Sequence, residues 1–177
     1  MFLTYTGKVI DVRNLRQKDI SLKDIAHSLA LQCRYGGHCK YFYSVAEHSV
    51  RAAEIAHDYQ VDPRYMLLHD AAEAYCGDVV NDIKGDVLNL EIEEKIRKVI
   101  FSSYGLEEEY WEKHYERIKQ VDHVMLLTEI RDLMPERAKE FYDFSCCHER
   151  IILPWEWKLA EKLFLRTAED LGLHDSF

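Results

Sequence analysis

The spacing of the apolar residues constrains the fold of this chain more than any other feature of its sequence. From about residue 21 onward they recur at intervals of three and four residues, which is the repeat of an α-helix with one buried face. Residues 2–12 differ, because they alternate loosely around Thr6 and Gly7, as a short hairpin does. The sequence therefore predicts an all-α helical bundle with a short N-terminal β-hairpin.

Capping signals and prolines divide the helical pattern into separate helices. The Ser44-x-x-Glu47 capping box opens one of them, and Pro63 suits the first turn of the next. A longer helix toward the C-terminal half is apolar enough to lie deep in the core. The predicted helices cover residues 21–31, 44–56, 63–77, 89–103, 112–133 and 154–172.

Length and composition favour one domain over residues 1–177. No internal repeat, low-complexity tract or Pro/Gly-rich linker divides the chain. We find no secretory signal and no apolar run of about 18 residues, and the five cysteines form no C-x-x-C pair. We therefore expect reduced thiols and a cytoplasmic location, in a bacterium or in an infected host cell if the source is viral.

The net charge limits the class of partner. The formal charge is −9, and this sign works against a nucleic-acid polymer, whose phosphates require many clustered lysines and arginines. A small anionic substrate needs only a local pocket that contains a bound cation and a few side chains. We therefore expect a small-molecule partner, with no nucleic-acid polymer and no membrane.

Four ionisable residues converge in the segment LLHDAAEAYCGD, residues 67–78. His69 and Asp70 are adjacent within an apolar run, and Glu73 follows at offsets of four and three residues. On a regular α-helix these offsets would place Glu73 on the same side as both. Asp78 follows just past the predicted end of the helix.

The ordinary interpretation of a His-Asp pair is a polar pair on a solvated helix face. Here the flanking residues are apolar, so the pair would be buried at a cost unless it were paired or bound to a metal. A structural salt-bridge cluster would need a lysine or arginine close by, and none lies between Tyr65 and Asn81. A metal site is therefore the better interpretation.

Two further ligand-type residues lie among apolar neighbours on other predicted helices. An unpaired carboxylate would be costly at Asp122, within VDHVMLL, whereas a lone histidine such as His48 is more often a hydrogen-bonded core residue. One ion shared by three helices would satisfy all these groups together. Two imidazoles and two carboxylates suit Co²⁺, Mn²⁺, Zn²⁺, Ni²⁺ or Fe²⁺ with open positions for catalysis. Glu73 and Asp78 can then orient or deprotonate a water.

These residues together resemble the H…HD…D pattern of the HD superfamily of metal-dependent phosphohydrolases. The chain is also similar to the YfbR-like 5′-deoxynucleotidases and to the related phage enzymes that hydrolyse dATP to deoxyadenosine and triphosphate. The resemblance extends from about residue 29 to 134 and is carried by residues 33–50, 67–84 and 118–129.

The resemblance implies roles for nine residues and an oligomeric state. The roles are metal ligands for His48, His69, Asp70 and Asp122, acid–base catalysis for Glu73 with Asp78, and substrate contacts for Arg34, Tyr35 and Lys84. The plain alternative for Arg34 and Lys84 is solvation, as for most surface cations. Because relatives assemble as dimers or larger rings, we expect a homo-oligomer.

The implied fold is an HD-domain helical bundle, and the implied activity is cleavage of the 5′ phosphate ester of 2′-deoxynucleoside monophosphates. One alternative is a triphosphohydrolase that converts, for example, dATP to deoxyadenosine and triphosphate, with Mg²⁺ on the substrate. Another is a non-catalytic HD domain that senses a nucleotide, although a pure binder has no need of this ligand set. Cleavage of cyclic nucleotides is disfavoured because the larger His/Asp arrays of those enzymes are not evident.

Overall fold

The computed structural model describes residues 1–78 and 90–175. Within these ranges the chain is mostly helical, with one two-stranded antiparallel sheet at the N terminus. The elements in chain order are β1 (Phe2–Leu3), β2 (Val9–Ile10), α1 (Leu22–Leu31), α2 (Val45–Ile55), α3 (Pro63–Leu68), α4 (Glu73–Cys76), α5 (Leu90–Ser103), α6 (Glu108–Leu133) and α7 (Trp157–Asp170). The predicted all-α fold with an N-terminal hairpin is confirmed.

The hairpin is short and is attached to α1 by side-chain hydrogen bonds. Its two strands, of two residues each, pair antiparallel. In the turn, Thr6 donates from its backbone N and its hydroxyl to the two carboxylate oxygens of Asp24, at 2.7 and 2.8 Å. A hairpin of this size is not stable alone in water, so it depends on this attachment.

Helix α2 is the centre of the bundle. It packs against α3, α6 and α7, while α1 packs against α7. Nine of its eleven residues are buried, and Ala46, Ala52 and Ala53 let neighbouring helices approach closely. Ser44 caps the helix as predicted, because its hydroxyl accepts a hydrogen bond from Glu47 N at 3.1 Å. A polar side chain on α2 must therefore find its partner inside the protein.

Helix α6 has an exposed first half and a buried second half. Its 26 residues correspond to a length of about 39 Å. It begins at Glu108, earlier than predicted, because the polar residues of its first turns do not show the apolar repeat. From Val121 onward most of its residues are buried, so α6 carries Asp122 into the middle of the bundle.

The predicted helix over residues 63–77 is not continuous, which corrects the sequence interpretation. Helix α3 ends at Leu68, and four residues of turn separate it from α4. Glu73 N donates to Asp70 O at 3.0 Å, which is the i→i−3 bond of a 3₁₀ turn rather than the i→i−4 bond of an α-helix. His69 contributes to the break, because its Nδ1 bonds the Met66 carbonyl and competes with helical bonding. The offsets predicted for Glu73 assumed a regular helix and do not apply.

Helix α7 begins at Trp157 rather than at Pro154. The segment before it is held by Trp155 N, which donates to the buried Glu47 carboxylate of α2 at 2.8 Å. This hydrogen bond attaches the segment to α2 just before it turns into the helix. Among the helices of the described residues, none has the length and apolar character needed to cross a membrane.

Candidate metal centre

Two histidines face each other at the centre of the bundle. His48 projects from α2 and His69 follows α3, and their Nε2 atoms are 3.2 Å apart. His69 Nδ1 lies 2.6 Å from the Met66 carbonyl, which can only accept, so this nitrogen carries the hydrogen. His48 Nδ1 lies 2.5 Å from a carboxylate oxygen of Glu129 and donates to it. Neutral rings held in this way direct both Nε2 lone pairs toward the same point.

Two carboxylates lie beside the facing imidazoles. Asp122 Oδ1 is 3.4 Å from His48 Nε2 and 3.8 Å from His69 Nε2. The ligand atoms of these three residues all lie within 4.8 Å of one another, so they form a group that can hold a metal ion. Asp70 Oδ2 is as near, at 3.2 Å from His69 Nε2 and 3.6 Å from His48 Nε2. The structure thus brings together all four residues predicted as ligands.

The charges around this group also fit a cation. When both imidazoles are neutral, as metal binding requires, the three carboxylates of Asp70, Asp122 and Glu129 exceed the one guanidinium of Arg34 by two negative charges in a largely buried region. Lys119 lies 3.4 Å from Asp122, but its side chain is 51% exposed and is screened by water. A metal ion would balance this negative charge. It would also bind the lone pairs of His48 Nε2 and His69 Nε2, which cannot hydrogen-bond to each other when both rings are neutral.

Without an ion, the same geometry favours protonated imidazoles. Burial lowers the pKa of His69, but the carboxylates of Asp70 and Asp122 outweigh burial and raise it to about 10. Burial also lowers the pKa of His48, which Glu129 and Asp122 raise above its ordinary value. Burial raises the pKa of Asp122, but hydrogen bonds from both histidines hold it well below its usual range. An arriving metal ion would therefore displace protons from the imidazoles.

Glu129 belongs to this centre by its contacts, although the sequence did not single it out. Its side chain is fully buried, and it lies seven residues, or two helical turns, after Asp122 on the same face of α6. The groups that donate to its carboxylate are His48 Nδ1 and Tyr35 Oη, both at 2.5 Å, Tyr43 Oη at 3.0 Å and Arg34 Nε at 3.2 Å. The sequence does contain a signal for a buried carboxylate here, because Glu129 follows the same apolar run in which Asp122 lies. A carboxylate that orients a ligand histidine is common at metal sites.

Arg34 and Tyr35, predicted to contact the substrate, form hydrogen bonds within this centre. Arg34 bridges two carboxylates, with Nη1 3.3 Å from Asp70 Oδ2 and Nε 3.2 Å from Glu129 Oε2. The sequence has no lysine or arginine close to His69 and Asp70 along the chain, but the fold brings Arg34 next to Asp70. Burial raises the pKa of Tyr35, so its hydroxyl stays protonated and donates to Glu129. The roles of Arg34 and Tyr35 toward a substrate stay predictions.

The three other predicted site residues are Glu73, Asp78 and Lys84. Glu73 is buried at the start of α4, and Asp78 follows the end of that helix. Gln32, directly after α1, bonds the backbone of both, since its Nε2 donates to the Glu73 carbonyl at 3.0 Å and its Oε1 accepts from Asp78 N at 2.8 Å. Their acid–base role stays a prediction. Lys84 lies outside the described residues.

A cleft of about 650 Å³ opens beside the metal group, between α5 and α6. It reaches His69 and Asp70, so a small molecule in the cleft would contact the group directly. The charged and aromatic residues that line it, within the described ranges, are Asp70, Glu93, Glu94, Glu108, Glu112, Arg97, Lys119, Trp111 and Tyr115. The lining that the structure describes is therefore mainly acidic, with two cations and two aromatic rings beside five carboxylates.

The fold and the site define an all-helical protein whose central histidine and aspartate side chains can hold a metal ion. No family model matches the chain. It is 38% identical over 131 residues to the uncharacterized protein YfdR of Escherichia coli strain K12, which covers 73% of this chain and 70% of the relative. The chain belongs to the family of YfdR. It is also 31% identical over 110 residues to an uncharacterized protein of Rhodobacter capsulatus, over 57% of this chain and 56% of that one.

Proposed function

We propose that this protein is a metal-dependent phosphohydrolase of the HD type that cleaves the 5′ phosphate ester of 2′-deoxynucleoside monophosphates. One observation carries the proposal: the Nε2 atoms of His48 and His69 face each other at 3.2 Å, with the carboxylates of Asp70 and Asp122 beside them. These residues form the H…HD…D set of the resemblance, and they come together from three separate parts of the chain. The cleft beside them supports access by a small substrate.

The proposed cofactor is a divalent transition metal ion, namely Co²⁺, Mn²⁺, Zn²⁺, Ni²⁺ or Fe²⁺. His48, His69, Asp70 and Asp122 would hold it, because mixed nitrogen and oxygen donors suit these ions. When bound, such an ion supplies a Lewis acid that polarises a phosphoryl oxygen and makes a nearby water more acidic. A triphosphate substrate would bring Mg²⁺ in addition.

The protein's own residues orient the ligands and move protons. Glu129 and the Met66 carbonyl fix the two imidazole rings, so that the two Nε2 atoms face each other and could both bind one ion. In the proposed reaction, water adds to phosphorus and the P–O5′ bond breaks, which yields a nucleoside and orthophosphate. One proton leaves the attacking water and one reaches the nucleoside oxygen. Glu73, with Asp78, is the proposed carrier of these protons.

The test is a nucleotide panel with defined metal content. Protein stripped by a chelator is reloaded with each candidate ion and with Mg²⁺, and is then offered deoxy and ribo nucleotides with one to three phosphates. We expect nucleoside and orthophosphate from deoxynucleoside monophosphates, with at least about a 100-fold loss of rate when the metal is absent. Chromatography distinguishes the alternatives: inorganic triphosphate identifies a triphosphohydrolase, and binding without turnover identifies a sensor.

Substitution of the ligands makes the test specific. Asp122→Asn and Asp70→Asn should each lose bound metal, measured by elemental analysis, together with turnover. Asp170→Asn is a matched control, because Asp170 lies on α7 with a side chain that is 69% exposed. If Asp70→Asn or Asp122→Asn keeps wild-type metal content and turnover, the proposed function is wrong.

A further inference from the structure

One face of α6 carries a row of side chains that leads from the cleft to the metal group. Trp111, Tyr115 and Lys119 all line the cleft, and Asp122 belongs to the metal group. Their spacing of four, four and three residues keeps them on one side of the helix. At 1.5 Å per residue, Tyr115 lies about 10 Å along the axis from Asp122. A nucleotide whose phosphate lies at the metal group would therefore extend its base toward Tyr115.

Lys119 is placed to bind a phosphate at the inner end of this row. Its Nζ is 3.4 Å from Asp122 Oδ2, and half of its side chain is exposed to the cleft side of α6. The other cation lining the described part of the cleft, Arg97, is occupied in a bidentate pair with Glu108 at 2.6 and 2.9 Å. Arg34 is likewise occupied by two carboxylates. Lys119 is thus the described cation best able to turn toward a ligand.

Tyr115 offers an aromatic surface one helical turn farther from the metal group than Lys119. Its side chain is 43% exposed, so a ligand can reach the ring. Trp111 contacts it edge-on with the ring centroids 6.0 Å apart, and the Arg97 guanidinium lies 4.4 Å from the centroid of the Trp111 ring. Tyr115 therefore packs against a neighbour that is itself held in place, while part of its ring stays accessible. A ring of this kind can stack on a nucleobase.

We infer that the cleft binds a nucleoside monophosphate, with its phosphate between Lys119 and the metal group and its base against Tyr115. The inference rests on the proposed function, for which it names the residues that contact the phosphate and the base. It also limits the number of phosphates. A longer phosphate chain directed along the cleft would meet Glu112, whose carboxylate repels it, whereas an uncharged base would not be repelled.

The test measures binding without turnover. The metal-loaded protein is titrated by calorimetry with a deoxynucleoside 5′-phosphonate, whose P–C bond replaces the cleavable P–O bond, and separately with inorganic phosphate. We expect Tyr115→Ala to weaken binding of the phosphonate roughly five- to a hundredfold and to leave inorganic phosphate unchanged. Lys119→Gln should weaken both ligands by about tenfold or more. A non-hydrolysable triphosphate analogue should bind the wild type more weakly than the phosphonate.

The controls are exposed residues of the same types. Lys113→Gln changes a lysine of α6 that does not line the described cleft, and Tyr142→Ala changes a tyrosine of similar exposure (46%) beyond α6. Metal content is measured in each variant, so that loss of the ion is not mistaken for loss of a contact. Wild-type phosphonate binding by Tyr115→Ala or Lys119→Gln would overturn the inference, as would absence of binding to the wild type. If the variants behave as expected but no nucleotide is hydrolysed, the proposed function fails and the binding site stands.

Discussion

Two glutamates of this protein have the same burial and opposite shifts in pKa. Glu47 on α2 and Glu129 on α6 both have fully buried side chains. Burial raises the pKa of Glu129, but Arg34 and His48 outweigh burial and lower it to about 2. Burial also raises the pKa of Glu47, and there the Trp155 amide and Arg51 compensate only in part, so the pKa stays above its ordinary value.

The difference lies in how many donors face each carboxylate and what those donors do. Four side chains donate to Glu129, and one of them is the imidazole of the candidate ligand His48. Glu47 accepts from Arg51 and from the backbone of Trp155, which anchors the segment before α7. Burial of a charge therefore does not by itself indicate a catalytic role. The identity of the donors separates a carboxylate that orients a ligand from one that joins two parts of the fold.

Replacement of each glutamate by leucine should give the largest difference between them. Glu129→Leu leaves His48 Nδ1 and two tyrosine hydroxyls without their acceptor and removes one of the two carboxylates that Arg34 bridges, and breaking a buried ion pair costs about 3–5 kcal/mol. Glu47→Leu should cost less, about 1–3 kcal/mol, because Arg51 keeps its bond to the Leu153 carbonyl. Urea unfolding of the metal-free proteins measures both free energies. Equal losses would contradict this ranking of the two carboxylates.

The amide variants should separate orientation from anchoring. Glu129→Gln keeps the volume but weakens the bond to His48 Nδ1, so we expect metal affinity to fall about 10- to 100-fold. Glu47→Gln should leave metal affinity within about twofold, because Glu47 contacts none of the four candidate ligands in the described contacts. Titration against a competing chelator measures both. Glu116→Gln, an exposed change on α6, is the control for Glu129, and equal affinities in all three variants would remove Glu129 from the site.

The sequence predicts the helices because their apolar repeat is local. It also predicts which residues gather as ligands, since His48, His69, Asp70 and Asp122 all stand out as polar groups in apolar surroundings. The prediction of one helix over residues 63–77 was wrong. The apolar repeat does not show that a ring nitrogen of His69 bonds the Met66 carbonyl.

The contacts of Arg34 could not be predicted from the sequence for a related reason. Arg34 and Glu129 are 95 positions apart, and Arg34 reaches both Glu129 and Asp70 only through the packing of the loop before α2 against α6. Spacing along the chain finds pairs on one helix, but it does not show which side chain of a distant loop will neutralise a buried carboxylate. That information comes from the fold.

The pH dependence of stability should distinguish the two glutamates by its sign, as the smallest of these effects. Glu129 has a folded pKa of about 2, below an unfolded value of about 4.3. Its stabilisation is therefore present above about pH 4.3 and is lost as the pH falls toward 2.

Glu47 has a folded pKa above its unfolded value, so its contribution is most favourable below about pH 4.3 and declines as the pH rises through the folded pKa. Urea unfolding of metal-free protein should thus show the wild type losing stability relative to Glu129→Gln below about pH 4, and gaining it relative to Glu47→Gln as the pH falls from neutral toward about 4.3. Parallel curves for the two variants would mean that both carboxylates have the same environment, against the donors that the structure assigns to them.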